Sequence, residues 1–167
     1  MNKCSDPRSP LALVRQHHRK DDWPPDEWDG ADFLHCFGSV EGALLYAALF
    51  VPELIEIEGC VFLTDLGAKP AGGVASLAEQ IKHARTESPG TLRRFLESCN
   101  WVEVPFLFSN RSDNDDGSPT LAAVIVEAWR ARLHEQYPDR RFKVRIISPE
   151  ETGGWIGVGF VEEYNTI

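Results

Sequence analysis

The side chains able to do chemistry in this sequence are few and widely spaced. They are Cys4, Cys36, Cys60 and Cys99, the histidines His17, His18, His35, His83 and His134, an acidic run from Ser112 to Gly117, and the glutamate pair Glu56 and Glu58. A cysteine nucleophile needs a histidine within hydrogen-bond reach to take its proton. Cys60 or Asp65 meeting His83 would give such a site, assembled from distant residues, and would make the chain a small hydrolase or transferase. Nothing in the spacing requires that meeting. His35 and Cys36 are adjacent, so on a strand they point to opposite faces, and no Cys-x-x-Cys pair offers zinc a foothold. His17, His18 and His134 read as solvated side chains. No Gly-x-Ser-x-Gly elbow, lysine-bearing phosphate loop or His-Glu-x-x-His helix is present. No catalytic residue, metal or cofactor is therefore expected.

The run Ser112-Asp113-Asn114-Asp115-Asp116-Gly117 places oxygens at alternate positions before a glycine, as a calcium loop does. Its register fails. With Gly117 as the sixth residue, the first ligand is a serine and the twelfth is Ala123, where a bidentate glutamate is needed. It reads as an acidic turn ahead of a helix, where carboxylates favour the positive end of the dipole. Glu56 and Glu58 share one face of a strand. Arg141, Lys143 and Arg145 have the same period of two, so they are the expected cross-strand partners.

The elements that must position these groups follow from caps, breakers and periodicity. Ser39 caps a helix running to about Phe50, in which Val40, Leu44, Leu45, Ala48 and Leu49 recur at helical spacing; Pro52 ends it. Leu54–Leu63 alternates as a strand, bends or bulges at Gly59, and continues as the buried run Cys60–Leu63. After a loop at Lys69–Gly73, helices are expected from Val74 to about Ala84 and from about Pro89 onward. Trp101–Phe108 reads as a strand in which Pro105 marks either an edge position or a break. Ser118 and Pro119 start the longest helix, to about Gln136, with a stripe of Leu121, Val124, Ile125, Ala128, Trp129 and Leu133. In Arg140–Ser148, Phe142, Val144 and Ile146 face inward and the three basic residues outward. Trp155–Tyr164 closes the chain as a strand with Gly157 and Gly159 beneath a close neighbour. Residues 1–32 form a basic arm and a lead-in rich in Trp, Pro and acids (Trp23, Pro24, Pro25, Trp28). Residues 33–167 form one α+β domain, with a mixed or antiparallel sheet of about 4–5 strands packed on 3–4 helices.

Charge is distributed unevenly. The chain carries a net −9 over 167 residues, which disfavours nucleic acid because phosphates reward a basic footprint. Lys3, Arg8, Arg15, Arg19 and Lys20 against Asp6 make residues 1–20 basic. Residues 21–66 hold Asp21, Asp22, Asp26, Glu27, Asp29, Asp32, Glu41, Glu53, Glu56, Glu58 and Asp65 and no lysine or arginine. Such a stretch either pairs with bases elsewhere in the fold or presents a docking face to a basic protein. In the second case Glu53, Glu56, Glu58, Asp26, Glu27 and Asp29 are its residues.

The longest apolar run, Ala43–Val51, is too short to span a bilayer, and Leu11–Val14 is too short for a secretory signal. A cytoplasmic protein with reduced cysteines is the expectation, with no membrane partner. Being small, acidic, α+β and without catalytic motifs, the chain resembles in general character the immunity proteins that bacteria use against toxin domains. That resemblance implies a non-catalytic, neutralising protein–protein contact. A regulatory subunit of a larger assembly is the third reading, whose sign would be an exposed apolar patch or a self-complementary face.

Overall fold

Serines and prolines set most of the helix starts. The computed structural model describes residues 10, 30–64, 66, 73–107 and 117–163. Within them run α1 (Gly30–Phe37), α2 (Val40–Phe50), β1 (Leu54–Ile57), β2 (Cys60–Leu63), α3 (Gly73–Glu87) and α4 (Pro89–Cys99), then β3 (Trp101–Glu103) and a 3-10 turn (Val104–Leu107). The order closes with α5 (Ser118–Gln136), β4 (Phe142–Ile147), α6 (Pro149–Thr152) and β5 (Gly157–Glu162). Ser39 Oγ accepts from Gly42 N at 2.9 Å, and Ser88 Oγ accepts from Thr91 N at 3.0 Å, so two orphan donors at the starts of α2 and α4 are satisfied by side chains. The chain is a single α+β domain. Its strands do not form one sheet of four or five; they split into an antiparallel pair, β1–β2, and an antiparallel three-stranded sheet in the order β3–β5–β4.

The β1–β2 connection is a two-residue turn rather than a bulge. Glu58 and Gly59 both have positive φ, 51° and 74°, between the paired residues Ile57 and Cys60. Two left-handed residues in succession match the twist of the flanking strands. Every residue of β2 is buried, and alternation sends its side chains into two different cores. Val61 and Leu63 join α5, β4 and β5 around Trp129, Val144 and Phe160. Cys60 and Phe62 join α3 and α4 around Ile81 and Leu96.

The free edge of β2 is closed by one side chain. Asn100, 1% exposed, donates from Nδ2 to Val61 O at 2.8 Å and accepts from Leu63 N at 3.1 Å. Its own carbonyl accepts from Phe160 N at 3.0 Å, so the residue hydrogen-bonds to both sheets at once. The carboxamide presents an N–H donor and a carbonyl acceptor side by side, the same pair a neighbouring strand would offer.

Three local expectations shift. The strand expected at Trp101–Phe108 stops at Glu103, because the last ladder bond is Val104 N to Ile156 O at 3.0 Å and Pro105 has no N–H to continue. On α5 the cap is Gly117, not Ser118, which is buried at the first helical position. The α5 stripe is rotated accordingly: Ala122, Ile125, Val126, Trp129 and Leu133 are buried, and Val124 is 39% exposed. On β4 Val144 is buried but Ile146 is 40% exposed, so the inward alternation weakens towards the end of that strand. The close neighbour expected over the glycines of β5 is Trp101: a Cβ on Gly159 would lie 2.9 Å from Trp101 Cβ and from Asn100 O.

Asn100→Ala removes two buried hydrogen bonds and strands the Val61 carbonyl and Leu63 N–H without water. The expected loss is roughly 2–5 kcal/mol of unfolding free energy, read from denaturant unfolding. Asn100→Asp at neutral pH gives no rescue, because a carboxylate cannot donate to the Val61 carbonyl. Wild-type stability in both variants overturns the assignment.

Candidate functional site

The acids expected to form a docking face have separate fates. Asp26, Glu27 and Asp29 lie outside the described residues, as do Asp65 and the acidic run at 112–116. Glu53 is exposed, and its backbone carbonyl accepts from Thr64 N and Thr64 Oγ1, each at 3.1 Å. Glu58 lies 3.7 Å from Lys82 Nζ; the Glu79 hydrogen bond and then the Glu58 charge raise the Lys82 ammonium above its usual pKa. Glu56 lies 3.1 Å from Arg140 Nη1. The expected pairing of Glu56 and Glu58 with Arg141, Lys143 and Arg145 is therefore corrected. β1 pairs with β2 and β4 with β5, so the two strands are not neighbours. Arg145 instead binds Glu151 at 2.8 Å, and that bond holds the Glu151 carboxyl below the ordinary carboxylate range.

Arg140 is the cation that sequence reading overlooked. Its guanidinium grips both oxygens of Glu162, with Nε to Oε1 at 2.7 Å and Nη2 to Oε2. The same Nη2 donates to Gly59 O at 2.8 Å. The group lies 5.2 Å from the Tyr137 ring centroid and 5.7 Å from that of Phe142; burial of the phenol and then the Glu56 charge push the Tyr137 hydroxyl up, against the opposing pull of Arg140. A planar fork of five donors can serve two carboxylates and a carbonyl at once. Arg85, on α3, donates to the other turn carbonyl, Glu58 O, so two arginines pin the β1–β2 turn. Two of the three described acids in the expected face are thus spent on holding the fold.

The thiol–histidine arrangement does not assemble. Cys60 has no exposed surface, and its Sγ lies 3.5 Å from Arg85 Nη2. His83 sits two residues before Arg85 on α3, about 200° around the helix, and binds Glu87 at 3.1 Å on the solvent side. Among the described residues no group of three His, Cys, Asp or Glu side chains converges as metal ligands would. Among the described residues, Cys36, Cys60 and Cys99 form no disulfide with one another, and burial raises the Cys99 thiol pKa.

What sequence reading took for an ordinary amphipathic helix is the most unusual surface of the molecule. α2 is apolar around nearly its whole circumference, yet of its residues Leu49 alone is buried. Val40, Leu44 and Leu45 are 74, 66 and 75% exposed, joined by Leu34 of α1 at 72% and Val51 at 55%. A helix of this composition ordinarily belongs in a core. It is held at its C-terminal end, where Leu49 enters the core and Trp129 Nε1 donates to Leu49 O at 2.8 Å. The bond satisfies a carbonyl that the helix end leaves orphaned. No single helix among the described residues is long and apolar enough to cross a membrane; α1 and α2 reach that apolarity together, but with a 116° bend between them. Glu41 lies in the first turn of α2 and Glu53 three residues past its end, both exposed, and residues 21–66 contain no lysine or arginine. The signal was legible in part: α2 has a single charged residue, Glu41, so its composition gave no solvent face.

Compared with family models, curated proteins and solved structures, the chain has no significant match.

Arg140→Lys keeps the charge but loses the fork, and a lysine cannot serve Glu162, Glu56 and Gly59 together. The expected cost is roughly 1–3 kcal/mol, reduced because Glu56 is solvent-exposed, with faster amide exchange in β1 and β2; unchanged exchange there overturns the cross-link. With iodoacetamide at neutral pH, Cys36 alkylates first among the three described cysteines, and Cys60 and Cys99 react only on unfolding. Mass spectrometry reads the order.

Proposed function

We propose that this chain is a non-catalytic protein-binding module that docks a basic protein partner through the acid-rimmed apolar face of α1 and α2. The observation that carries the reading is the exposure of Leu34, Val40, Leu44 and Leu45 on helices without a lysine or arginine. Contiguous exposed apolar side chains are uncommon on a monomer's surface and mark interaction sites. Burying four such side chains is worth roughly 6–12 kcal/mol before the costs of association. Glu41 and Glu53, both exposed, then select for positive charge at the rim and speed encounter.

The charge pattern chooses among occupants. A second copy of the same face would bring like charges together, and an anionic bilayer surface would be repelled by the same carboxylates. A basic amphipathic protein surface meets both demands. An immunity-like, neutralising role against a basic toxin domain is one form of this function, and a regulatory subunit of a larger assembly is the other; they differ in how permanent the complex is. A cytoplasmic setting, in which thiols stay reduced, belongs to the same reading.

The test uses the full chain with three probes: a synthetic amphipathic Leu/Lys helix, its Leu/Glu counterpart, and phosphatidylserine vesicles. The Leu/Lys helix is expected to bind with a Kd of about micromolar order, weakening as salt rises. Leu44→Asp with Leu45→Asp abolishes that binding while leaving stability within about 0.5 kcal/mol, since both positions are exposed. Equal binding of the Leu/Glu helix, preference for the vesicles, or indifference to the double substitution overturns the reading.

A further inference from the structure

We infer that α2 is the inserted element of the docking contact: it enters a two-walled apolar cleft of the partner, and that cleft carries an arginine or lysine at the end that meets Glu41. The inference rests on the docking reading above, and it names the shape and the chemistry of the partner for that same site.

The shape follows from how far the exposed surface runs around the helix. At about 100° per residue, the way round α2 from Ala43 through Val40 and Leu44 to Leu45 covers about 200°. The other side chains within that arc, Ala47, Ala48 and Glu41, are exposed as well. Leu49, which enters the core, lies outside it. A helix laid on a flat surface buries a stripe about 100° wide, so one wall leaves half of the arc in water. Val40 and Leu45, 74 and 75% exposed, stand about 140° apart, and no single wall reaches both. Two walls do, and a groove that receives a helix is an established mode of recognition. The exposed turns, residues 40–48, need about 14 Å of cleft.

The chemistry follows from Glu41, the only charged residue of α2. It precedes Leu44 by three positions and Leu45 by four, so it neighbours both leucines on the helix surface. A partner that takes both leucines strips water from this carboxylate, which is costly unless a counter-charge replaces the water. Residues 21–66 contain no lysine or arginine to supply one. The partner must therefore bring it, at the end of the cleft that holds the first turn. The same carboxylate disfavours a lipid bilayer, because immersion would carry Glu41 and the backbone donors of the helix start into hydrocarbon, which offers neither a cation nor an acceptor. A second copy would bring another Glu41 where a cation is needed.

The experiment uses the full chain and four probes: a designed helical hairpin whose two helices line a leucine groove with one arginine at its end, the same hairpin with glutamine at that place, the single Leu/Lys helix, and phosphatidylcholine vesicles. The arginine hairpin is expected to bind about tenfold more tightly than the single helix. In hydroxyl-radical footprinting it protects Val40, Leu44 and Leu45 together. Glutamine in the hairpin weakens binding by about tenfold, and the chain variant Glu41→Gln no longer distinguishes the two hairpins, which closes a double-mutant cycle. Protection of one side alone, a hairpin no tighter than the single helix, or hairpins that the unaltered chain binds equally overturns the enclosure; the docking reading survives that loss if the single Leu/Lys helix still binds. Failure of every peptide to bind, or preference for the vesicles, overturns both. Dimers in sedimentation that Leu44→Asp with Leu45→Asp dissolves would give the face to a second copy and overturn both as well.

Discussion

The Asn100 carboxamide stands where a neighbouring strand's peptide group would be, and both sheets depend on it. β2 is buried on both faces, so its outer edge has no water to satisfy Val61 O and Leu63 N–H. An unpaired buried peptide group costs more than a made hydrogen bond gains. One residue at the end of α4 removes that cost, and in doing so it fixes α4 against β2 and, through its own carbonyl, β2 against β5. The alternating side chains of β2 can then feed two cores at once.

Arginines complete what the carboxamide begins. Arg85 and Arg140 bind the two carbonyls of the β1–β2 turn, and Arg130 Nη2 donates to Val144 O at 3.1 Å on the open side of β4. Exposed strand edges and tight turns carry unpaired carbonyls that invite pairing with other chains. A guanidinium satisfies a carbonyl without adding a strand. This is also why the acidity of the hairpin is muted: Glu56 and Glu58 answer Arg140 and Lys82.

That side follows a different logic. α2 enters the core through Leu49 and the Trp129 bond at its last turn, and the earlier turns lead away with their leucines in the open. A surface of this kind is stable as written because one well-anchored end suffices to hold a helix whose start is capped by Ser39. Its exposure is a standing free energy that an apolar contact can release.

Caps, breakers and periodicity act within a turn or two of chain, so the sequence by itself determined the α+β class, the bounds of α2 and α5 to within a residue or two, the start of α4, and a close neighbour over the two glycines of β5. The same local signals could not say whether five strands make one sheet or two, because that rests on Asn100 meeting Val61 across 39 residues. Nor could they choose Arg140 over Arg141, whose partner carbonyl at Gly59 is 81 residues away. Periodicity marks which side chains of a helix share a face, but burial is decided by what the rest of the chain brings against that face. For α5 it brought two sheets, and for α2 it met only the last turn, through Leu49, Phe50 and the Trp129 bond, which is why the exposed apolar face was written in the residues and became visible only in three dimensions.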